Sequence, residues 1–150
     1  MMKNRGFTLI ELLVTIAVIV IMVTIAIPNF SSFVASGRLA AEYNNVLTGL
    51  HYARSEAVKR RKVVAAEITT SASGQWEMDV KVGSDILRSF SATSGSISVN
   101  DGNDGVVKFS GLGRRVLASG GECTFPECKV TVGNKNIEIN AVGNILGSQP

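Results

Sequence analysis

The sequence predicts an α+β chain in which one long N-terminal helix packs on an antiparallel, β-rich head, and three observations carry that prediction. Residues 12 to 27 contain no charged side chain. Beyond Pro28, apolar residues recur every three or four positions as far as Val58, the period of an amphipathic helix. From Val63 onward that period gives way to short β-rich runs separated by Gly, Ser, Asn and Asp. A length of 150 residues is enough for one domain with a modest core.

The first element is Phe7 to Ile27, FTLIELLVTIAVIVIMVTIAI, a span of 21 residues. As a helix it would rise about 32 Å, against a hydrocarbon core of about 30 Å, so it can cross a membrane. A secretory signal carries its small-residue cleavage site after the apolar stretch. Here the one cleavage-like residue, Gly6, precedes it, so cutting there would leave the helix on the product. Lys3 and Arg5 stand just before the helix, and flanking positive charge tends to stay in the cytoplasm, which points the C-terminal bulk at the periplasm. Glu11 is discordant, because an acid inside a membrane helix is costly unless compensated. Its natural partner is an amine created at Phe7, four residues away on the same helical face, or the same amine on a neighbouring subunit.

Pro28 ends the apolar run and predicts a bend, since a proline inside a helix removes one hydrogen bond. An amphipathic helix over 29–62 follows. Phe30, Phe33, Val34, Tyr43, Val46, Leu47, Leu50, Ala53, Ala57 and Val58 mark its packed face. Arg38, Glu42, Asn44, Asn45, Arg54 and Glu56 mark an expected solvated face, with His51 on the helix surface. Lys59-Arg60-Arg61-Lys62 closes the helix, where cations complement the dipole; a phosphate-binding patch is the alternative.

The β-rich region covers 63–150. Expected strands are Val63 to Thr69, Gln75 to Val82, Ile86 to Ser91, Ile97 to Val99, Val106 to Phe109, Lys129 to Val132 and Asn136 to Ile139, forming one antiparallel sheet whose apolar face meets the helix. Trp76 reads as a core or sheet residue, with recognition aromatic as the alternative.

Cys123 and Cys128 form a C-x4-C pair with Pro126 between them, which in an exported domain reads as a small disulfide loop. A zinc site would need two more ligands, and the single His51 lies far off in sequence, so no metal or cofactor is predicted. Nucleophile–base pairs and phosphate-binding glycine loops are absent from the sequence, and Asp101 and Asp104 read as a turn rather than a completed calcium loop, so an enzyme is not predicted. Without Lys3 and Arg5 the chain carries 13 basic against 12 acidic side chains. That near-neutrality weakens any argument from bulk charge to nucleic acid.

The stretch Gly6-Phe7-Thr8-Leu9-Ile10-Glu11-Leu12, behind a short basic leader and ahead of an apolar run, resembles the class III signal of type IV pilins and type II secretion pseudopilins. The resemblance implies that residues 1–6 are a leader removed by prepilin peptidase between Gly6 and Phe7, and that Phe7 is then N-methylated. It further implies that Glu11 neutralises the terminal amine of an adjacent subunit. On this reading 7–28 is the transmembrane and assembly half of the helix, and 29–150 is the periplasmic pilin-like head. Pro28 occupies the place where pilin helices can melt within a filament, although Val20 stands where many major pilins carry a helix-weakening glycine.

The segment Tyr52-Ala53-Arg54-Ser55-Glu56-Ala57-Val58-Lys59-Arg60-Arg61, followed by strands with Trp76, resembles the FimT/FimU/GspH branch of that family. Membership implies a structural subunit in the inner membrane, single-pass with its N-terminus cytoplasmic, that later enters a pilus or pseudopilus. Other pilin or pseudopilin subunits, met through the N-terminal helix, are its implied partners. A minor pilin that primes assembly is the favoured reading, with a GspH-type pseudopilin of type II secretion as the alternative. A DNA-binding pilin is a third reading. The final turn, Gly143-Asn144-Ile145-Leu146, lacks the arginines that such relatives carry, which leaves Arg114 and Arg115 beside Gly113 as the tentative DNA contacts.

Overall fold

The computed structural model describes residues 7–71, 75–92, 99–100, 105–116 and 129–147. They form one helix, α1 (Leu9–Arg60), and nine strands: β1 (Val64–Thr70), β2 (Trp76–Val82), β3 (Asp85–Ser91), β4 (Val99–Asn100), β5 (Val106–Phe109), β6 (Arg115–Val116), β7 (Lys129–Val132), β8 (Lys135–Ile139) and β9 (Ile145–Gly147). The chain divides into two compact units, Met1–Gly37 and Arg38–Pro150.

In the first unit α1 starts at a reciprocal cap. Thr8 precedes the first helical residue, and its hydroxyl accepts from the Glu11 N–H at 3.3 Å while the Glu11 Oε2 accepts from the Thr8 N–H at 3.1 Å. This is a capping box, T-x-x-E, which satisfies two of the donors that a helix start leaves open. Every described side chain from Phe7 to Ile27 is exposed. The helical assignment continues without a break through Pro28.

In the second unit α1 presents one stripe to a core built from two sheets. Tyr43, Val46, Leu50, Ala53 and Ala57 are buried, as their spacing predicts. Opposite them stand the inward residues of a five-stranded sheet, β3-β2-β1-β5-β6, and of a four-stranded sheet, β4-β7-β8-β9, all paired antiparallel. Gly49 lets the first sheet come close, because a methyl group there would collide with the Met78 methyl. The helix ends one turn after Ala57 in a Schellman arrangement. The Lys62 N–H donates to the Ala57 carbonyl and the Arg61 N–H to Val58, both at 3.3 Å, with Arg61 itself at φ +53°.

Four details correct the sequence reading. The expected single sheet is two sheets, since β4 pairs with β7 instead of extending the first. Strands β6 and β9 were not expected, because two or three residues are too short to display an alternation. Phe30, Phe33 and Val58, read as packed, are exposed. Glu42 and Glu56, read as solvated, are buried at 1% and 6% accessibility.

The register defines two ends of the head. Trp76 bonds to Glu42, Asn45 to the Ser91 carbonyl, and Tyr43 to the Asn136 carbonyl, so the start of β2, the end of β3 and the start of β8 lie beside the early turns of the head's helix. Val64 is paired with Phe109 and Ala65 with Lys81, so the end of β5 and the end of β2 lie with the start of β1, beside Arg60.

Candidate functional site

Thr8 and Glu11 form the one constellation with polar chemistry among the described residues of the first unit's helix start, with exposed Phe7 just before it. The carboxylate of Glu11 takes two bonds on Oε2, from the Thr8 N–H and the Thr8 hydroxyl, each at 3.1 Å. The acid therefore sits in the first helical turn, where the dipole also favours negative charge. The sequence reading found Glu11 but missed Thr8 as its partner; the T-x-x-E spacing was the available signal. Gly6 lies outside the described residues, as do Cys123 and Cys128, whose expected bond is therefore left to experiment.

The arginine pair does not hold together as a surface feature. Arg114 is exposed, but Arg115 is 1% accessible and is one of the largest fully buried side chains. The reason is strand alternation: Arg115 pairs with Phe109 across β5 and β6, and directly opposed residues share a face. Phe109 points into the core, and Arg115 follows it. The basic run at the helix end is likewise partly committed, because Lys59 and Arg60 bond to Glu56 at 3.3 and 2.6 Å. The Arg60 hydrogen bond, with help from Lys59, holds the Glu56 carboxyl below the usual carboxylate range. On the sheet, Lys81 is held above the usual lysine range by Glu67 at 2.8 Å, with Asp79 adding to the effect.

Trp76 is a core residue, as expected. Its indole N–H donates to Glu42 Oε2 at 3.1 Å across a separation of 34 residues, which explains how a carboxylate on the helix can be buried. His51 lies exposed on the helix.

Two hairpin loops at the Arg60 end of the head share one design. In Ser110–Arg114 and Asn140–Asn144 the first residue's N–H donates to the fifth residue's carbonyl, at 2.8 and 3.0 Å. The fourth residue, Gly113 or Gly143, donates back to the first, at 2.8 and 2.7 Å. The side chains of Ser110 and Asn140 accept from the fifth residue's N–H. Gly113 and Gly143 both adopt positive φ, +74° and +85°, and a Cβ on Gly143 would strike the Gly113 carbonyl oxygen. Arg54 Nε donates to that same oxygen at 3.2 Å, so the two loops and the helix are fastened at one point.

Comparison with known families supplies the assignment. The family described as "Type II transport protein GspH" matches residues 42–143, and the "Prokaryotic N-terminal methylation motif" matches residues 1–27. The chain belongs to the type IV pilin-like proteins of the FimT/FimU/GspH branch.

Within this branch the head has the fold of the Pseudomonas aeruginosa type IV minor pilin FimU. One crystal form matches with a TM-score of 0.55 at 17% identity over 78% of this chain and 92% of that one. A second form gives 0.50 at 18% identity over 73% and 92%. Among curated relatives, the fimbrial protein EcpC of Eikenella corrodens is 32% identical over 110 residues, 70% of this chain and 67% of that protein. The type IV major pilin protein PilA of Myxococcus xanthus is 48% identical over 44 residues, which is 29% of this chain and 20% of that protein. The pilin family consists of structural subunits that assemble with other pilin or pseudopilin subunits, and the methylation motif implies processing by prepilin peptidase and anchoring in a membrane.

Proposed function

We propose that this chain is a minor type IV pilin, a subunit that primes assembly of type IV pili or is built into them. The observation that carries this reading is the helix from Phe7 to Ile27, whose described side chains are all exposed although nearly all are apolar. Such a surface needs cover from outside the chain: first the bilayer, then the helices of neighbouring subunits. The minor-pilin fold of the head and the similarity to a fimbrial protein support the pilus over other machines.

In this account prepilin peptidase cuts between Gly6 and Phe7, and Phe7 is methylated on its new amine. Before assembly the chain spans the inner membrane once, with its N-terminus cytoplasmic and its head periplasmic. Glu11, already oriented by Thr8, then meets the amine of an adjacent subunit, an ion pair that removes a charge from an apolar fibre core. Pro28 bends the helix or lets it open, and Cys123 and Cys128 close a disulfide loop; two free thiols by mass in the purified periplasmic head would overturn that last point.

A count of sheared surface pili tests the main reading. Deleting the gene should collapse pilus number, and the wild-type chain should restore it while Glu11→Ala does not. Unchanged pili with a loss of protein secretion would instead assign the chain to a type II secretion pseudopilus, a reading that the family's own description favours. The burial of Arg115 gives the DNA-binding reading no support.

A further inference from the structure

The first unit changes character at Pro28 without gaining a charge. From Leu12 to Ile27 the polar side chains are Thr15 and Thr24, and each returns its hydroxyl to the backbone, to the Leu12 and Ile21 carbonyls at 2.8 Å. From Asn29 to Ser36 the polar residues Asn29, Ser31, Ser32 and Ser36 are mixed with Phe30, Phe33 and Val34. At the helical period Ile27, Phe30, Phe33 and Val34 fall on one stripe, and Ser32 and Ser36 on the side away from it. Phe30 and Phe33 are 67% and 74% exposed, and the exposed Ser36 donates its hydroxyl to the Ser32 carbonyl at 2.9 Å. A helix that is apolar all round as far as Ile27 therefore becomes two-faced just beyond it. These residues belong to the unit Met1–Gly37 and not to the head, whose core takes Leu39 as its earliest helix residue.

Length decides what covers the two rings. An acid in a membrane helix is cheapest at the edge of the hydrocarbon, which fixes Glu11 at the cytoplasmic boundary. Counted as helix rise from Glu11, Phe30 lies about 28 Å along and Phe33 about 33 Å. A hydrocarbon core of about 30 Å ends between them. The next charged residue after Glu11 is Arg38, at a rise of about 40 Å. That matches the bilayer with its headgroups included, about 40–45 Å. The two-faced stretch thus coincides with the headgroup layer, where a helix with one apolar and one polar side settles with its apolar side dipped toward the acyl chains.

We propose that in the unassembled subunit residues 29–36 lie in the periplasmic headgroup layer, with Phe30 and Phe33 as the side chains that set the depth of the anchor. The membrane-bound part then reaches past Pro28 to Ser36, and the first charge of the head, Arg38, stands at the outer edge of the lipid. The exposure of both rings is what this placement resolves, since lipid covers them before any neighbouring subunit is met. The inference rests on the anchoring of the chain in a membrane and adds to it where the anchor stops.

The test uses the full chain in vesicles of phosphatidylethanolamine and phosphatidylglycerol, dilute enough to keep subunits apart. Tryptophan reporters are placed singly as Ile16→Trp and Phe33→Trp, and the emission of the parent, whose one tryptophan is the buried Trp76, is subtracted. Lipids brominated near the headgroup end of the acyl chain or near its far end act as shallow and deep quenchers. The expected result is that Ile16→Trp loses more emission to the deep bromines and Phe33→Trp more to the shallow ones. A Phe33→Trp reporter that emits as in water, or that is quenched as strongly by the deep bromines, would overturn the proposal. Because tryptophan itself is drawn to interfaces, a second measurement tests the native rings. With Phe30→Asn and Phe33→Asn introduced, an Ile27→Trp reporter should shift toward the shallow bromines and emit further to the red; an unmoved reporter would show that the rings do not set the depth. If Ile16→Trp is deep while Phe33→Trp is not shallow, membrane anchoring stands and the proposal falls. If Ile16→Trp is itself unquenched, the anchoring reading fails on its own control.

Discussion

The two units of this chain spend the same residue types in opposite ways. Val and Ile between Leu9 and Ile27 are exposed, whereas Val46, Val64, Val80, Val107, Ile137 and Ile139 are buried. The difference lies in how each helix segment is patterned. A helix apolar on every side offers no polar face to water, and a single chain of this length has nothing large enough to wrap it. A helix apolar along one stripe can bury that stripe against two short sheets, as Tyr43, Val46, Leu50, Ala53 and Ala57 do. Apolar composition therefore predicts a need for cover, and the angular spread of the apolar residues predicts whether the cover is internal or supplied by other molecules.

Trp76→Ala puts this contrast under the greatest load. Removing the largest fully buried side chain should destabilise the head by about 3–5 kcal/mol, with the loss enlarged because Glu42 forfeits its indole donor. Thermal unfolding of the full chain in detergent would register this, and Ile16→Ala should leave the head's midpoint unmoved. Gly143→Ala should cost about 1–3 kcal/mol through backbone strain, because its φ of +85° and its contact with the Gly113 carbonyl leave no room for a methyl. A midpoint equal to wild type would mean that the two loops are not fastened together.

Gly37 probes the boundary itself. It stands inside α1 at the division between the units, exposed, and a methyl group added there would meet nothing within 4 Å. Gly37→Ala should therefore stabilise the helix locally by about 0.5–1 kcal/mol, seen as slower amide exchange over the neighbouring turns. The smallest effect is the acid sensitivity of the helix end. Glu56 has a folded pKa below its unfolded value, near 4.3 for a glutamate, so its contribution is present above that value and is lost as pH falls through the lower, folded one. Glu56→Gln should flatten the fall of the thermal midpoint in that acid window and leave the neutral region nearly unchanged.

Much of this architecture was legible because its signals are local. The uncharged run, the three-and-four spacing of Tyr43, Val46, Leu50, Ala53 and Ala57, and most strand positions all depend on residues within a turn or two of each other. The motif at Gly6–Leu12 and the methylation-motif match over residues 1–27 agree for the same reason. The misreadings were of another kind. Glu42 and Glu56 have the composition of a solvated face, and Arg115 has that of a surface charge, yet all three are buried.

Covalent order and helical period alone dictate that an apolar helix precedes an amphipathic one, that strands follow, and that an acid stands near the start of the apolar run. Long-range packing decides the rest: that the nine described strands split into two sheets, that Glu42 is buried with Trp76 as its donor, and that Arg115 turns inward behind Phe109. Those outcomes depend on which distant segments pair. A pairing such as Glu42 with Trp76, 34 residues apart, is set by the packing of the whole head rather than by any neighbourhood in the chain.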